Sequence, residues 1–235
     1  MSAPWLVAMD WRDALFVHWP CPAAELQARL PADLTLDTWD GEGWISLVAF
    51  RIAAARPRGF PHALGWPAFG EINLRTYVAG AGHAGVWFFS LDAESSVAVS
   101  LARAALHLPY HRAQVLATWD EARVTYFGAR DGEDEVRYAV EATFGATEAN
   151  AAPAAPGTLA HWLVERYAFF TVDRRGRTQR GDVAHEPWAL RDVSVRAEAN
   201  LLLDAAGLAR PATPPLAHVA RGVTMRARTL QPVGA

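Results

Sequence analysis

Glu71, Asn73, Arg75 and Tyr77 occupy alternate positions of the segment Glu71-Ile72-Asn73-Leu74-Arg75-Thr76-Tyr77-Val78. In an extended backbone successive side chains point to opposite faces. An acid, an amide, a guanidinium and a phenol would then share one face, while Ile72, Leu74 and Val78 share the other with Thr76. Turned into a closed pocket, this face would line it with all four groups, and the carboxyl could act as a base if burial raises its pKa. Turned to solvent, it is the ordinary polar side of a half-buried strand, and the pattern alone supports both placements equally. One chemistry is excluded outright. All 22 basic residues are arginine, and a guanidinium stays protonated, so no side chain can act as the amine of a Schiff base.

Other chemistry-bearing residues form no comparable set. His107 and His111 have the i, i+4 spacing of a helical ligand pair, but Pro109 breaks the helix between them and no metal is expected. Ser90, Ser95 and Ser96 lack the strand-turn-helix setting of a nucleophilic serine. Cys21 stands alone between two prolines, which excludes an intramolecular disulfide. No Gly-x-Gly-x-x-Gly follows a strand and no Walker-type loop occurs, so nucleotide binding by those routes is not expected, and no cofactor is expected. Arg174, Arg175, Arg177 and Arg180 are interrupted by Gly176 and Gly181, the pattern of a solvated hairpin tip rather than a phosphate site.

The elements that must position these residues are mostly strands. Val136 to Phe144 alternates apolar and polar residues with period two, and similar readings apply to Leu34 to Trp39, Trp44 to Ile52, Val193 to Ala197 and Val223 to Arg228. Asp40-Gly41 and Asp131-Gly132 supply turns. Val86 to Leu91 is apolar on both faces, which predicts a strand covered on both sides. Short helices are expected at Pro22 to Arg29, at Glu94 to Leu106 with Pro109 as the stop, and from Leu159 to Arg166 behind Thr158 as N-cap. Strands linked by a few short helices predict a β-rich α+β fold with a closed or strongly curved sheet. Only Ala151 to Pro156 resembles a linker, and strand patterns continue beyond it, so residues 1–235 are read as a single domain.

With 235 residues, 51% of them hydrophobic, the chain can bury a sizeable core. A net charge of -3 and a pI near 6.2 provide no global attraction to nucleic acid or acidic membranes. Ten tryptophans without a basic stripe among them read as core packing, and no nucleic-acid partner is expected. No apolar run reaches the ~18 residues of a membrane-spanning helix. The first residues lack the features of a secretion signal, so the expected location is the cytoplasm with no membrane partner.

Several blocks occur in an order that resembles a known family. Glu71-x-Asn73-x-Arg75-Thr76-Tyr77-Val78, Gly85-Val86-Trp87-Phe88-Phe89-Ser90-Leu91-Asp92, Ala102-Arg103, Leu108-Pro109-Tyr110, Leu163-x-Glu165-Arg166-Tyr167 and His185-x-Pro187-Trp188 are similar to the signature blocks of the YqjF-like family, whose function is uncharacterised. That family is similar in fold to acetoacetate decarboxylase, which implies a curved, barrel-like sheet around an internal pocket. Carried residue by residue, the resemblance implies that Arg12 matches a carboxylate-binding arginine and Glu71 a pocket glutamate. Arg51 replaces a second pocket glutamate. Pro109-Tyr110-His111, preceded by Arg103, falls where the enzyme carries Pro-Lys-Lys, so Tyr110 and His111 take the places of the two lysines. The parent imine chemistry is therefore lost. The expected role is binding of a small molecule bearing a carbonyl or carboxylate, with Arg12, Arg51, Asn73, Arg75, Tyr77 and Arg103 as ligand-binding residues. The alternative is a lyase or isomerase that uses Glu71, Tyr110 and His111 as catalytic residues. Arg12 and Arg51 together are expected to make the pocket anion-selective. Relatives with this fold often assemble, which makes a homo-oligomer the candidate assembly.

Overall fold

The computed structural model describes residues 4–60, 67–120, 122–132, 136–143 and 151–233. Strands β1 (Trp5–Cys21), β2 (Thr35–Leu36), β3 (Gly43–Pro57), β4 (Phe69–Gly80) and β5 (His83–Ala93) come first, with the short helix α1 (Ala23–Gln27) after β1. Helix α2 (Ser96–Leu106) then leads into β6 (Tyr110–Trp119), β7 (Arg123–Arg130), β8 (Arg137–Thr143) and β9 (Ala152–Pro153). Helix α3 (Leu159–Val164) precedes β10 (Ala168–Val172), β11 (Thr178–Ala184), β12 (Ala189–Asp192) and β13 (Ser194–Glu198). Helix α4 (Asn200–Ala205), β14 (Leu216–Arg228) and β15 (Gln231–Pro232) complete the order.

Seven strands close on themselves. β1 pairs with β3, β3 with β4, β4 with β5, β5 with β10, β10 with β11, β11 with β14, and β14 returns to β1. The β5–β10 joint is parallel and the other joints of this ring are antiparallel. β5 is where the architecture forks. Val86 and Trp87 pair with β10, whereas Leu91, Asp92 and Ala93 pair with β6 and so begin a second sheet, β6–β7–β8–β13.

The two sheets create two cores. Inside the ring lie Phe16, Val48, Phe50, Val86, Leu91, Phe169 and Trp188. Between the outer face of the ring and the second sheet lie Leu15, Val17, Leu47, Ile72, Leu74, Val115, Tyr126, Val140 and Leu203. β5 is covered by both, as its apolar run predicts: Phe88 packs toward the inner core and Phe89 toward the outer one. An ion pair ties the sheets together. Asp92 of β5, fully buried, accepts bonds from Arg130 Nε at 2.9 and 3.1 Å and from Tyr138 Oη at 2.8 Å.

Local signals account for most boundaries. Ser95 caps α2 by accepting from the Ala98 N–H, and His107 ends it in the left-handed region at φ 54°. Thr158 caps α3 by accepting from the His161 N–H, although α3 stops at Val164, short of Arg166. α1 is likewise shorter than Pro22 to Arg29, and Leu34 to Trp39 keeps only Thr35 and Leu36 as strand. Phe144 lies outside the described residues. The arginine run is a hairpin tip: Asp173 accepts from the backbone of Arg175 and Arg177 and from Arg177 Nε.

Candidate functional site

The ring encloses a cavity of about 110 Å³. Its wall is largely apolar, with Trp11, Phe16, Phe50, Phe88, Phe169 and Trp188 among aliphatic side chains, and it carries a few polar groups: Glu71, Asn73, Arg75, Tyr110, Arg166 and His185. β4 supplies three of these by simple alternation. Ile72 and Leu74 bury themselves in the outer core, which forces Glu71, Asn73 and Arg75 to face the inside of the ring. The polar face of this strand is thus turned inward.

At one end, Tyr110 Oη donates to Glu71 Oε2 at 3.0 Å. Several local features bring the phenol there. Pro109 brings no N–H, its carbonyl accepts from the Leu91 N–H, and β6 starts at Tyr110 alongside Leu91. From the last turn of α2, Arg103 Nε donates to the Tyr110 carbonyl at 2.6 Å, and its Nη2 donates to the same oxygen. Glu71 is buried, and loss of solvent raises its pKa from 4.5 to about 7; the Tyr110 bond works against that rise and the Asp92 charge adds to it. Burial, then the Glu71 charge and the bond to it, hold the Tyr110 phenol well above its ordinary range, so it remains a donor.

At the other end stands Arg75. Its Nη2 donates to the Leu163 carbonyl at 3.3 Å, and among the described residues no carboxylate stands within ion-pair distance of it. Arg166 is anchored by Nε to the Trp162 carbonyl and by Nη1 to Asp37, both at 2.7 Å. Four buried atoms of cavity-lining side chains lack a hydrogen-bond partner: Trp11 Nε1, Asn73 Oδ1, Arg75 Nε and Arg166 Nη2. Such groups are costly to bury unless something meets them. Glu165 fixes the adjoining wall, accepting the Trp188 N–H at 2.8 Å and the Tyr167 hydroxyl. His185 sits between the rings of Tyr167 and Trp188, and burial lowers its pKa.

Residues 8–224 match the DUF2071 family, described as an uncharacterized conserved protein. The chain belongs to that family. It is 36% identical over 219 residues to the uncharacterized protein YqjF of Bacillus subtilis, covering 92% of this chain and 88% of YqjF. In fold, this DUF2071 chain is similar to acetoacetate decarboxylase from Legionella pneumophila, with a TM-score of 0.68 at 12% identity over 100% of this chain and 90% of the other. An acetoacetate decarboxylase-like enzyme from Sphingomonas wittichii gives 0.67 at 15% identity over 97% and 93%. The enduracididine biosynthesis enzyme MppR, solved with pyruvate, gives 0.68 at 12% over 99% and 91%. These likenesses are to the fold.

The structure brings together Glu71, Asn73, Arg75 and Tyr110 and separates the rest of the expected set. Arg12 lies within β1 and is exposed. Trp11 and Phe50 line the cavity, and the neighbouring Arg12 and Arg51 are absent from its wall. Arg51 instead donates to Asp13 at 2.6 Å in a separate groove with Thr118, Trp119 and Tyr126. The anion selectivity expected from Arg12 and Arg51 therefore has no basis in this DUF2071 cavity. His111 follows Tyr110 on β6 and does not line the cavity. Tyr77 is inside the ring but off the cavity wall, its hydroxyl bonded to Ser46 and to the Leu163 carbonyl. Arg103 holds the Tyr110 backbone from the surface and touches no cavity space. Arg166 and His185 were not singled out as site residues; both lie in the family blocks, the only signal that marked them.

Proposed function

We propose that this chain binds a small molecule that carries a carboxylate, seated in the ring with its anionic end toward Arg75 and a neutral carbonyl or hydroxyl oxygen toward the Glu71–Tyr110 pair. The observation that carries this reading is a guanidinium with an unpartnered Nε on the same strand face as a near-neutral carboxyl, inside a largely apolar cavity. Size narrows the class. An apolar cavity of about 150 Å³ admits benzene, so a ligand here has roughly half a dozen heavy atoms. MppR, similar in fold, is solved with pyruvate, which makes short 2-oxo acids the first compounds to try. No imine is formed with a side chain, because the chain has no lysine.

The test is calorimetric titration with short carboxylates and their neutral amides. Charged hydrogen bonds contribute about 1.5 to 3 kcal/mol, so Arg75→Met should weaken a carboxylate by about 10-fold or more and leave the amide unchanged. Arg12→Ala should change neither. Equal binding of acid and amide, indifferent to Arg75→Met, would remove the proposal.

A second reading, acid/base catalysis without lysine, is favoured by one feature: a carboxyl whose pKa lies near 7 and whose partner is a phenol that stays protonated. Exchange of the α-protons of a bound 2-oxo acid into D2O, followed by NMR, would show it. Under that reading Glu71→Gln abolishes exchange while binding persists.

A further inference from the structure

A second group of buried polar residues lies beside the cavity and takes no part in the site above. His18 of β1 is fully buried, with Nδ1 2.6 Å from Ser46 Oγ on β3 and 3.4 Å from Tyr77 Oη on β4. Ser46 Oγ meets Tyr77 Oη, and Tyr77 Oη donates to the Leu163 carbonyl at 2.9 Å. That carbonyl is also the acceptor for Arg75 Nη2. On the other side, the His218 ring of β14 lies 5.5 Å from that of His18, and His218 Nε2 is 3.4 Å from Asp192 of β12, whose side chain is 95% exposed. His18 Nε2 and His218 Nδ1 have no partner.

We infer that binding of an anion at Arg75 is coupled to uptake of one proton by the His18–His218 pair, through the hydrogen-bonded chain of Ser46, Tyr77 and the Leu163 carbonyl. The inference rests on the Arg75 seat proposed above.

The chain of bonds carries the coupling in both directions. With His18 neutral and Nδ1 accepting, the Ser46 hydroxyl donates to it. When the pair takes up a proton and His18 holds it, both ring nitrogens carry hydrogen and Nδ1 becomes a donor to Ser46. The Ser46 hydroxyl must then turn to donate to Tyr77 Oη, which strengthens the Tyr77 bond to the Leu163 carbonyl. That carbonyl becomes a poorer acceptor for Arg75, whose guanidinium is released toward the cavity. Charge acts in the same sense. The groups facing the pair are Arg75 and Tyr77 from β4, Ser46 from β3 and Asp192 from β12, with Arg166 over the Tyr77 ring. Burial, the neighbouring imidazole and the Arg75 charge hold His18 well below its ordinary pKa, and an anion on Arg75 cancels the last of these. By reciprocity, a proton on the pair favours the anion.

Glu71 would also make anion binding pH-dependent, so the experiment uses Glu71→Gln protein with pyruvate as the ligand. Pyruvate should bind about 5-fold tighter at pH 5.5 than at pH 7.5. Calorimetry in two buffers of different ionisation enthalpy should show proton uptake, and His18→Asn should remove both effects. Pyruvate binding that depends on Arg75 but takes up no proton overturns the coupling and leaves the seat intact. A second measurement needs no ligand: long-range 1H–15N NMR of the imidazoles through a pH titration. Arg75→Met should raise the midpoint of the pair, and an unchanged midpoint overturns the coupling. If pyruvate fails to bind the natural chain as well, the seat falls and the imidazole titration decides the coupling alone.

Discussion

At the scale of single residues, Glu71 sets the pH behaviour of the molecule. Its carboxyl titrates near 4.5 in an unfolded chain and near 7 in the folded one. The folded state therefore prefers the protonated form. That preference is fully felt below pH 4.5 and is lost as pH rises through 7, at a cost on the order of 3 kcal/mol. We expect the Tm of the natural chain to fall across this window relative to Glu71→Gln, whose curve should be flatter; parallel curves would contradict the burial argument. Tyr110 allows a chemical test. Treated with pyruvate and borohydride, the natural chain should keep its intact mass, whereas Tyr110→Lys should gain one reduced adduct, because burial in the apolar cavity favours the neutral amine that forms an imine. Much of this was legible in the sequence. Alternation along Glu71 to Tyr77 defined the face, but only the burial of Ile72 and Leu74 in the outer core shows that it turns inward. Arg12 and Arg51 were misplaced because a positional match to a distant enzyme carries no information about the pleat, and Trp11 and Phe50 occupy the wall in their stead.

At the scale of elements, β1 was the least readable. Its 17 residues contain register shifts at Asp10/Trp11 and Arg12/Leu15, and Asp13 adopts φ 57°. A bulge of this kind resets the period of two, so no continuous alternation survives to be recognised. α4 was also missed, for Asn200–Ala205 is short and has no side-chain cap. By contrast Arg137–Thr143 keeps strict alternation, and its boundaries follow the pattern closely. The second sheet depends on one close approach. Gly128 of β7 faces Tyr138 of β8, and a Cβ at Gly128 would lie 2.1 Å from the Tyr138 ring. Gly128→Ala should cost about 1 to 3 kcal/mol in chemical denaturation, since the ring is fixed by its bond to Asp92 and cannot swing away cheaply.

At the scale of the whole molecule, the Asp92–Arg130 pair joins the ring to the second sheet in a fully desolvated setting. Removing one partner strands the other charge. Arg130→Leu should destabilise by roughly 3 to 5 kcal/mol, and the double variant Asp92→Asn with Arg130→Leu should recover part of that loss. Because the two cores share β4 and β5, we expect one calorimetric unfolding transition for ring and sheet together; two separable transitions would mean that the cores are independent. The closure of the ring has a further consequence, for synthesis. Val7 of β1 pairs with Ala227 of β14, so the first and last long strands are neighbours. While the ribosome is still making β14, β1 and β11 each present an unpaired edge and the inner core stands open to solvent. Pairings this distant in sequence are slow to form, and open edges invite other chains. The nascent protein is thus at its most aggregation-prone until β14 has emerged and paired, and a translational pause ahead of Leu216 should lower its soluble yield.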